Sequence, residues 1–378
     1  MKNTMIVAAC AALSAGAAQA GGFERSGLPL GFMFEAGTYA ELSYGSVNPS
    51  VSGQTNALFP GALGGAGLRS GDVAGSYSTV GLAFKTDLSD KLALGLTIDP
   101  SFGADVLYPT GSNYPLRGSN ARLRGETLAL IAKYKVTDNV SVIGGLRSVG
   151  IGGNVSLSTT TLPAAPGVPV NFYNASFGYT RDIGYVIGVA YEKPEIALRV
   201  GLTYASSTTH DLPVTGVALS SLGPVAFTSS TEVELPKSLT LDFQSGVAAD
   251  TLVFGSIRWV DWTSTTLIAP NAGTANPLVS YSKDTITYSL GVGRKFSDAF
   301  SGAISIGYET SAGGVVGNLG PTDGFRSIQV GGTYTHENMK ITAGVRYVDV
   351  GDATALGGAG SFSGNKAIGV GVKVGFTF

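Results

Sequence analysis

Cysteine is almost missing. The 378-residue chain has one, Cys10, and it falls in a leading segment that reads as a cleaved export signal. Lys2 supplies the positive start, Met5 to Leu13 the apolar stretch, and Ala18-Gln19-Ala20 a small-residue cleavage site before Gly21. With residues 1–20 removed, no disulfide, thiolate nucleophile or cysteine metal site is left. Charge is also scarce, at 13% of residues with a net charge of −2, so nothing calls for a nucleic acid or acidic polymer as partner. Long apolar runs are missing too. After residue 20 none approaches the ~18 residues of a membrane helix, although the mean hydropathy of the chain is positive.

What is abundant is glycine, 55 residues, and strict alternation. The C-terminal stretch Asn365 to Phe378 puts Ile368, Val370, Val372, Val374, Phe376 and Phe378 on one face, and Gly369, Gly371, Lys373, Gly375 and Thr377 on the other. A period of two is a strand between unlike environments. An apolar average carried by alternation suits strands with lipid on one side and a lumen on the other.

Six tight polar turns recur at intervals of roughly 40–50 residues, each followed by an alternating run. They are centred on Leu88-Ser89, Thr137-Asp138-Asn139, Lys193-Pro194-Glu195, Ala249-Asp250, Ser297-Asp298-Ala299 and Glu337-Asn338. Seven longer stretches rich in Gly, Pro, Ser, Thr and Asn separate them: 52–75, 103–124, 153–180, 206–231, 263–281, 311–324 and 351–364. Short turns on one side and long loops on the other predict an all-β fold, a 14-stranded antiparallel transmembrane barrel over residues 38–378 of a bacterial outer membrane.

Aromatics fit that reading. Phe84, Tyr134, Tyr191, Phe296 and Tyr334 stand just before short turns, and Tyr204, Trp259, Tyr308 and Tyr347 about nine residues beyond one. Nine residues of tilted strand rise roughly 20–25 Å, near the ~25 Å apolar band of such barrels. Lys85, Lys133, Arg147, Arg199, Arg258, Glu309, Arg346 and Lys373 all fall on the opposite parity. A charge facing lipid costs ~2–4 kcal/mol at mid-depth, so these belong to the lumen. Arg147, Arg199, Arg258 and Arg346 are the lumen cations able to meet an anionic head group, with a plain solvated wall as the alternative.

Fourteen strands make a barrel too wide for its own side chains to fill. Residues 21–37 have Gly and Pro breaks and do not alternate cleanly. They read as an N-terminal plug whose Phe23, Leu28, Leu30, Phe32 and Phe34 would touch ligand; a first strand beginning near Leu30 is the alternative. The third strand alternates from Leu92 to Ile98 and then meets Asp99-Pro100-Ser101-Phe102-Gly103. Proline gives no N–H to a ladder. Either the strand ends there, or it bends inward and opens the wall.

The chain resembles the FadL-type (OmpP1/FadL/TodX-like) family of outer-membrane transporters for long-chain fatty acids and related compounds such as aromatic hydrocarbons. The resemblance rests on Gly22-Phe23-Glu24-Arg25-Ser26-Gly27, on Asp99-Pro100-Ser101-Phe102-Gly103-Ala104, on Glu234-Leu235-Pro236-Lys237-Ser238-Leu239-Thr240-Leu241 followed by Val260-Asp261-Trp262-Thr263, and on the terminal Phe378. It implies a monomeric passive transporter of a hydrophobic small molecule, with a hatch in the lumen, no cofactor, and exit into outer-membrane lipid through a kinked third strand at residues 99–103. Two other readings are a general aqueous porin and an outer-membrane lipase or deacylase. His210 near Ser206, Ser207 and Asp211 is the one cluster that suggests the latter, and no Gly-x-Ser-x-Gly elbow accompanies it.

Overall fold

The computed structural model describes residues 22–161, 167–273 and 277–378. The expected export signal, residues 1–20, and Cys10 lie outside these residues. The alternating runs form fourteen antiparallel strands: β1 (Tyr39–Ser50), β2 (Tyr77–Asp87), β3 (Leu92–Leu107), β4 (Asn120–Lys135), β5 (Val140–Thr159), β6 (Val170–Lys193), β7 (Leu198–Ala205), β8 (Ser238–Ala248), β9 (Thr251–Val260), β10 (Thr285–Lys295), β11 (Phe300–Glu309), β12 (Phe325–His336), β13 (Met339–Val350) and β14 (Asn365–Thr377). Each pairs with the next, and β14 returns to β1 in register from Tyr39–Thr377 to Ser50–Lys366. Closure is what lets backbone polar groups cross an apolar layer without an unpaired edge.

Side-chain parity sorts as expected. Leu42, Leu82, Leu130, Leu146, Ile187 and Ile306 are exposed on the outer surface, together with Phe84, Tyr134, Tyr191, Phe296, Tyr334, Tyr308 and Tyr347. Lys85, Lys133, Arg147 and Glu309 are buried inside. The short connections lie where the polar turns stood. Asp250 and Glu337 take positive φ there, 56° and 51°.

Three of the expected long loops are corrected. Residues 153–180 are largely strand, and the loop expected at 103–124 is confined to 108–119, because β3, β4, β5 and β6 run on past the turn-proximal wall. Residues 206–231 fall in a hairpin, Thr208–Ser220 with Gly223–Leu235. It takes over as partner of β6 where the short β7 stops: Val186 to Lys193 pair with β7, whereas Tyr173 to Phe177 pair with Ala218 to Val214 of the hairpin. Beyond the lipid layer a strand needs no apolar outer face, so its Gly, Ser and Thr content reads as loop.

The interior is packed in tiers. Nearest the short turns, Phe32, Met33, Tyr39, Ile131, Ile143 and Val186 cluster. Farther up, Phe23, Phe102, Ile151, Phe177, Leu212 and Trp262 belong to a larger cluster. On the long-loop side a small sheet of Ser52–Thr55, Arg69–Asp72, Ala353–Ala355 and Gly360–Phe362 packs with Tyr108 and Tyr114, whose rings stack at 5.5 Å.

Candidate functional site: a breach between two wall strands and the cavity behind it

The ladder between β2 and β3 runs from Asp87–Ala93 up to Leu82–Ile98 and stops. Contact resumes only past the end of β2, where Ala74 bridges Val106 and the Gly75 amide donates to the Asp105 carbonyl at 2.8 Å. Between these points residues 76–81 and 99–104 face each other without ladder pairing among the described residues. The cause is local to β3. Asp99 pairs with Thr127 and Phe102 with Gly125, so Pro100 and Ser101 stand opposite Glu126 alone. One extra residue bulges the strand and bends it, and Pro100 could not have donated to the ladder in any case. Of the two readings left open by the sequence, the strand does not end at Pro100; it continues to Leu107.

The freed edge of β3 is not left bare. The Arg25 and Ser26 amides donate to the Ser101 carbonyl at 2.7 and 3.3 Å, the Gly103 amide donates to the Phe23 carbonyl at 2.8 Å, and Glu24 bridges Phe102. Residues 23–26 thus stand in for β2 along the bend, satisfying groups that would be costly to bury unpaired. Side chains fix this segment from the lumen. Glu24 forms an ion pair with Arg258 of β9. Phe23 packs edge-on against Phe102 at 5.9 Å and against Trp262 at 5.1 Å. Ser101 donates to Thr127 Oγ1 at 2.6 Å, and Asp99 is buried.

Behind the breach is a mostly apolar cavity of about 240 Å³. Phe23, Leu123, Ile151, Phe177 and Leu212 line it deep inside, and Gly75, Tyr77, Gly103 and Ala104 line it on the side of the breach. The cavity and the unpaired stretch of wall therefore share residues.

The expected ligand-touching residues separate. Phe23 lines the cavity; Leu28, Leu30, Phe32 and Phe34 pack in the tier nearest the short turns. There Lys85 Nζ donates to the carbonyls of Glu35 and Gly37 at 2.8 and 2.9 Å. Of residues 99–103, Gly103 lines the cavity and Phe102 lies under Phe23. None of the four lumen arginines lines it. Arg147 donates to the Ser206 carbonyl, Arg199 lies 4.4 Å from the Phe34 ring centre, Arg258 holds Glu24, and Arg346 donates to Ser327 Oγ at 3.0 Å. The hydrolase cluster is not assembled. His210 Nε2 is 3.0 Å from Thr208 Oγ1, and the Ser206 hydroxyl donates to the Ser207 carbonyl. Sequence reasoning passed over Tyr77, Trp262 and Tyr281 as site residues. Only the Asp261-Trp262 pair carried a signal, and it was read as a family mark.

Comparison with known families follows this geometry. Residues 33–370 match the model of the family described as outer membrane protein transport protein (OMPP1/FadL/TodX). The chain belongs to this family. It is accordingly a bacterial outer-membrane barrel of a family that transports hydrophobic compounds. Among solved structures it is similar to a Pseudomonas aeruginosa FadL homologue, with 14% identity, 93% of this chain and 92% of that one covered, and a TM-score of 0.71. It is also similar to the Ralstonia pickettii toluene transporter TbuX, with 16% identity, coverage of 93% and 92%, and a TM-score of 0.64. The Pseudomonas putida toluene transporter TodX gives 15% identity, coverage of 96% and 98%, and a TM-score of 0.64. At such identities these likenesses concern the fold. A comparison with curated protein sequences gives no match.

Proposed function

We propose that this FadL/TodX family member carries a hydrophobic small molecule, a long-chain fatty acid or a related apolar compound, passively from the outer face into the cavity. From there it releases the molecule sideways between β2 and β3 into outer-membrane lipid. One observation carries the reading: the apolar cavity and the stretch of wall where β2 and β3 do not pair share Tyr77, Gly103 and Ala104. Lateral release spares an apolar solute the aqueous periplasm, whose crossing would expose its surface to water again. Residues 22–37 act as the plug. Their contacts with Arg258, Trp262 and Lys85 on the lumen side support that role over an aqueous porin. The barrel works as a monomer, as the family resemblance implies. The test is a pair of assays on the full chain. Cells carrying it should take up labelled hexadecanoic acid faster than cells without it, and liposomes carrying it should not swell in small sugars. Sugar-driven swelling without fatty-acid uptake would make it a porin.

A further inference from the structure

The Arg25 side chain of the N-terminal segment reaches across the breach. Its guanidinium lies 3.9 Å from the ring centre of Tyr77, at the start of β2. On its other side it lies against Gly103 of β3, where an added Cβ would come within 2.5 Å of Arg25 Cζ. The group therefore spans from one wall strand to the other, and it also lines the cavity. Its charge has no close partner of its own. Among the described residues Arg25 is in no ion pair, and its buried Nε has no hydrogen-bond partner. The nearby acids are already committed: Asp105, beside it, to Arg122 at 2.9 Å, and Glu24, its neighbour in sequence, to Arg258 at 2.6 Å. Arg124, opposite Gly103 in the ladder, adds a further positive charge at the same corner.

A cation held by an aromatic face, with the nearby carboxylate already paired to another arginine, is held weakly compared with one in a two-point pair of its own. A neutral hydrocarbon offers it little. An apolar ligand with a carboxylate offers the missing partner, and needs one itself, because an unpaired carboxylate is excluded from such a cavity. We propose that Arg25 is a cationic stopper in the breach, drawn off Tyr77 by the carboxylate of an incoming amphiphile, so that release favours fatty acids over neutral chains of the same length. This rests on the lateral-release reading above.

The test uses two labelled probes that differ only in charge, hexadecanoic acid and hexadecan-1-ol, delivered to cells carrying the full chain, with barrel folding checked by heat-modifiable migration. The native protein should deliver the acid faster by roughly tenfold, the weight of a charge-assisted hydrogen-bonded pair. Arg25→Ala should bring the ratio close to one, with alcohol delivery unchanged or raised, and Arg25→Lys should keep part of the preference. An acid-to-alcohol ratio near one in the native protein, or a preference that survives Arg25→Ala, overturns the stopper. Deletion of Pro100 separates the two readings. If it slows both probes while Arg25→Ala leaves the preference intact, the stopper alone fails. If it slows neither, lateral release fails and the stopper with it.

Discussion

Glu24 and Arg258, far apart in sequence, meet inside the barrel as a two-point pair: Oε1 lies 2.6 Å from one terminal guanidinium nitrogen and Oε2 lies 3.2 Å from Nε. The carboxylate side chain is 7% exposed and the guanidinium side chain 17%. Removing one partner of a buried pair strands the other charge, at a cost of about 3–5 kcal/mol. Glu24→Ala is therefore expected to loosen residues 22–27 without unfolding the wall. Amide exchange should quicken at Arg25 and Ser26 and stay slow in β9. Unchanged protection at those two amides would mean that the pair does not hold the segment down.

Gly95 of β3 is small for a reason. A Cβ built there would stand 2.2 Å from Met33 Sδ and 2.6 Å from the Phe32 ring, both buried on the lumen side. Gly95→Val should push the Gly31–Phe34 turn off the wall, at roughly the 1–3 kcal/mol of an overpacked core, and raise the ionic conductance of the barrel in a planar bilayer. Gly144→Ala, where a Cβ meets nothing within 4 Å, serves as the control. Conductance equal to the native value in both variants would show that this turn blocks nothing.

The chain has two tryptophans, Trp259 and Trp262, and they report on different places. Trp262 is buried against Phe23 and lies 4.8 Å from Tyr281, and both of those residues line the cavity. Trp259 donates through Nε1 to Asp284. In Trp259→Phe, the remaining emission comes from Trp262, and hexadecanoic acid brominated along its chain should quench it in a saturable way. Trp262→Ala should also weaken binding, by roughly tenfold for the loss of an aromatic contact with the cavity wall. Emission indifferent to the brominated ligand would place the binding site elsewhere.

Much of the wall was legible in the sequence because lipid imposes a local rule: every second side chain must be apolar across a fixed depth. Leu42, Leu130 and Ile306 obey it, as do Phe84 and Tyr334 beside their turns. The extensions of β5 and β6 were hidden because that rule lapses above the lipid. Pro100 announced a fault in β3 through its missing N–H, but nothing in the local pattern said what would repair it. The repair comes from residues 23–26, and the pairs that fix it, Glu24 with Arg258 and Phe23 with Trp262, join segments more than 200 residues apart. Neither period nor spacing encodes such contacts. Parity kept Arg147, Arg199 and Arg346 off the lipid face, yet it carries no information on which tier of the interior a side chain serves, and none of the three lines the cavity.

Release through the wall can be tested at one residue. The bulge sets Pro100 and Ser101 against Glu126, so deleting Pro100 leaves one residue opposite one and lets β3 pair with β4 without interruption, straightening it toward β2. Labelled hexadecanoic acid should still bind the purified variant with near-native affinity, while its delivery to the membrane of intact cells should fall by about tenfold or more, the effect of ~1.4 kcal/mol added to the release barrier. Native-rate delivery by a folded variant with the ladder shown to be closed would contradict release between β2 and β3.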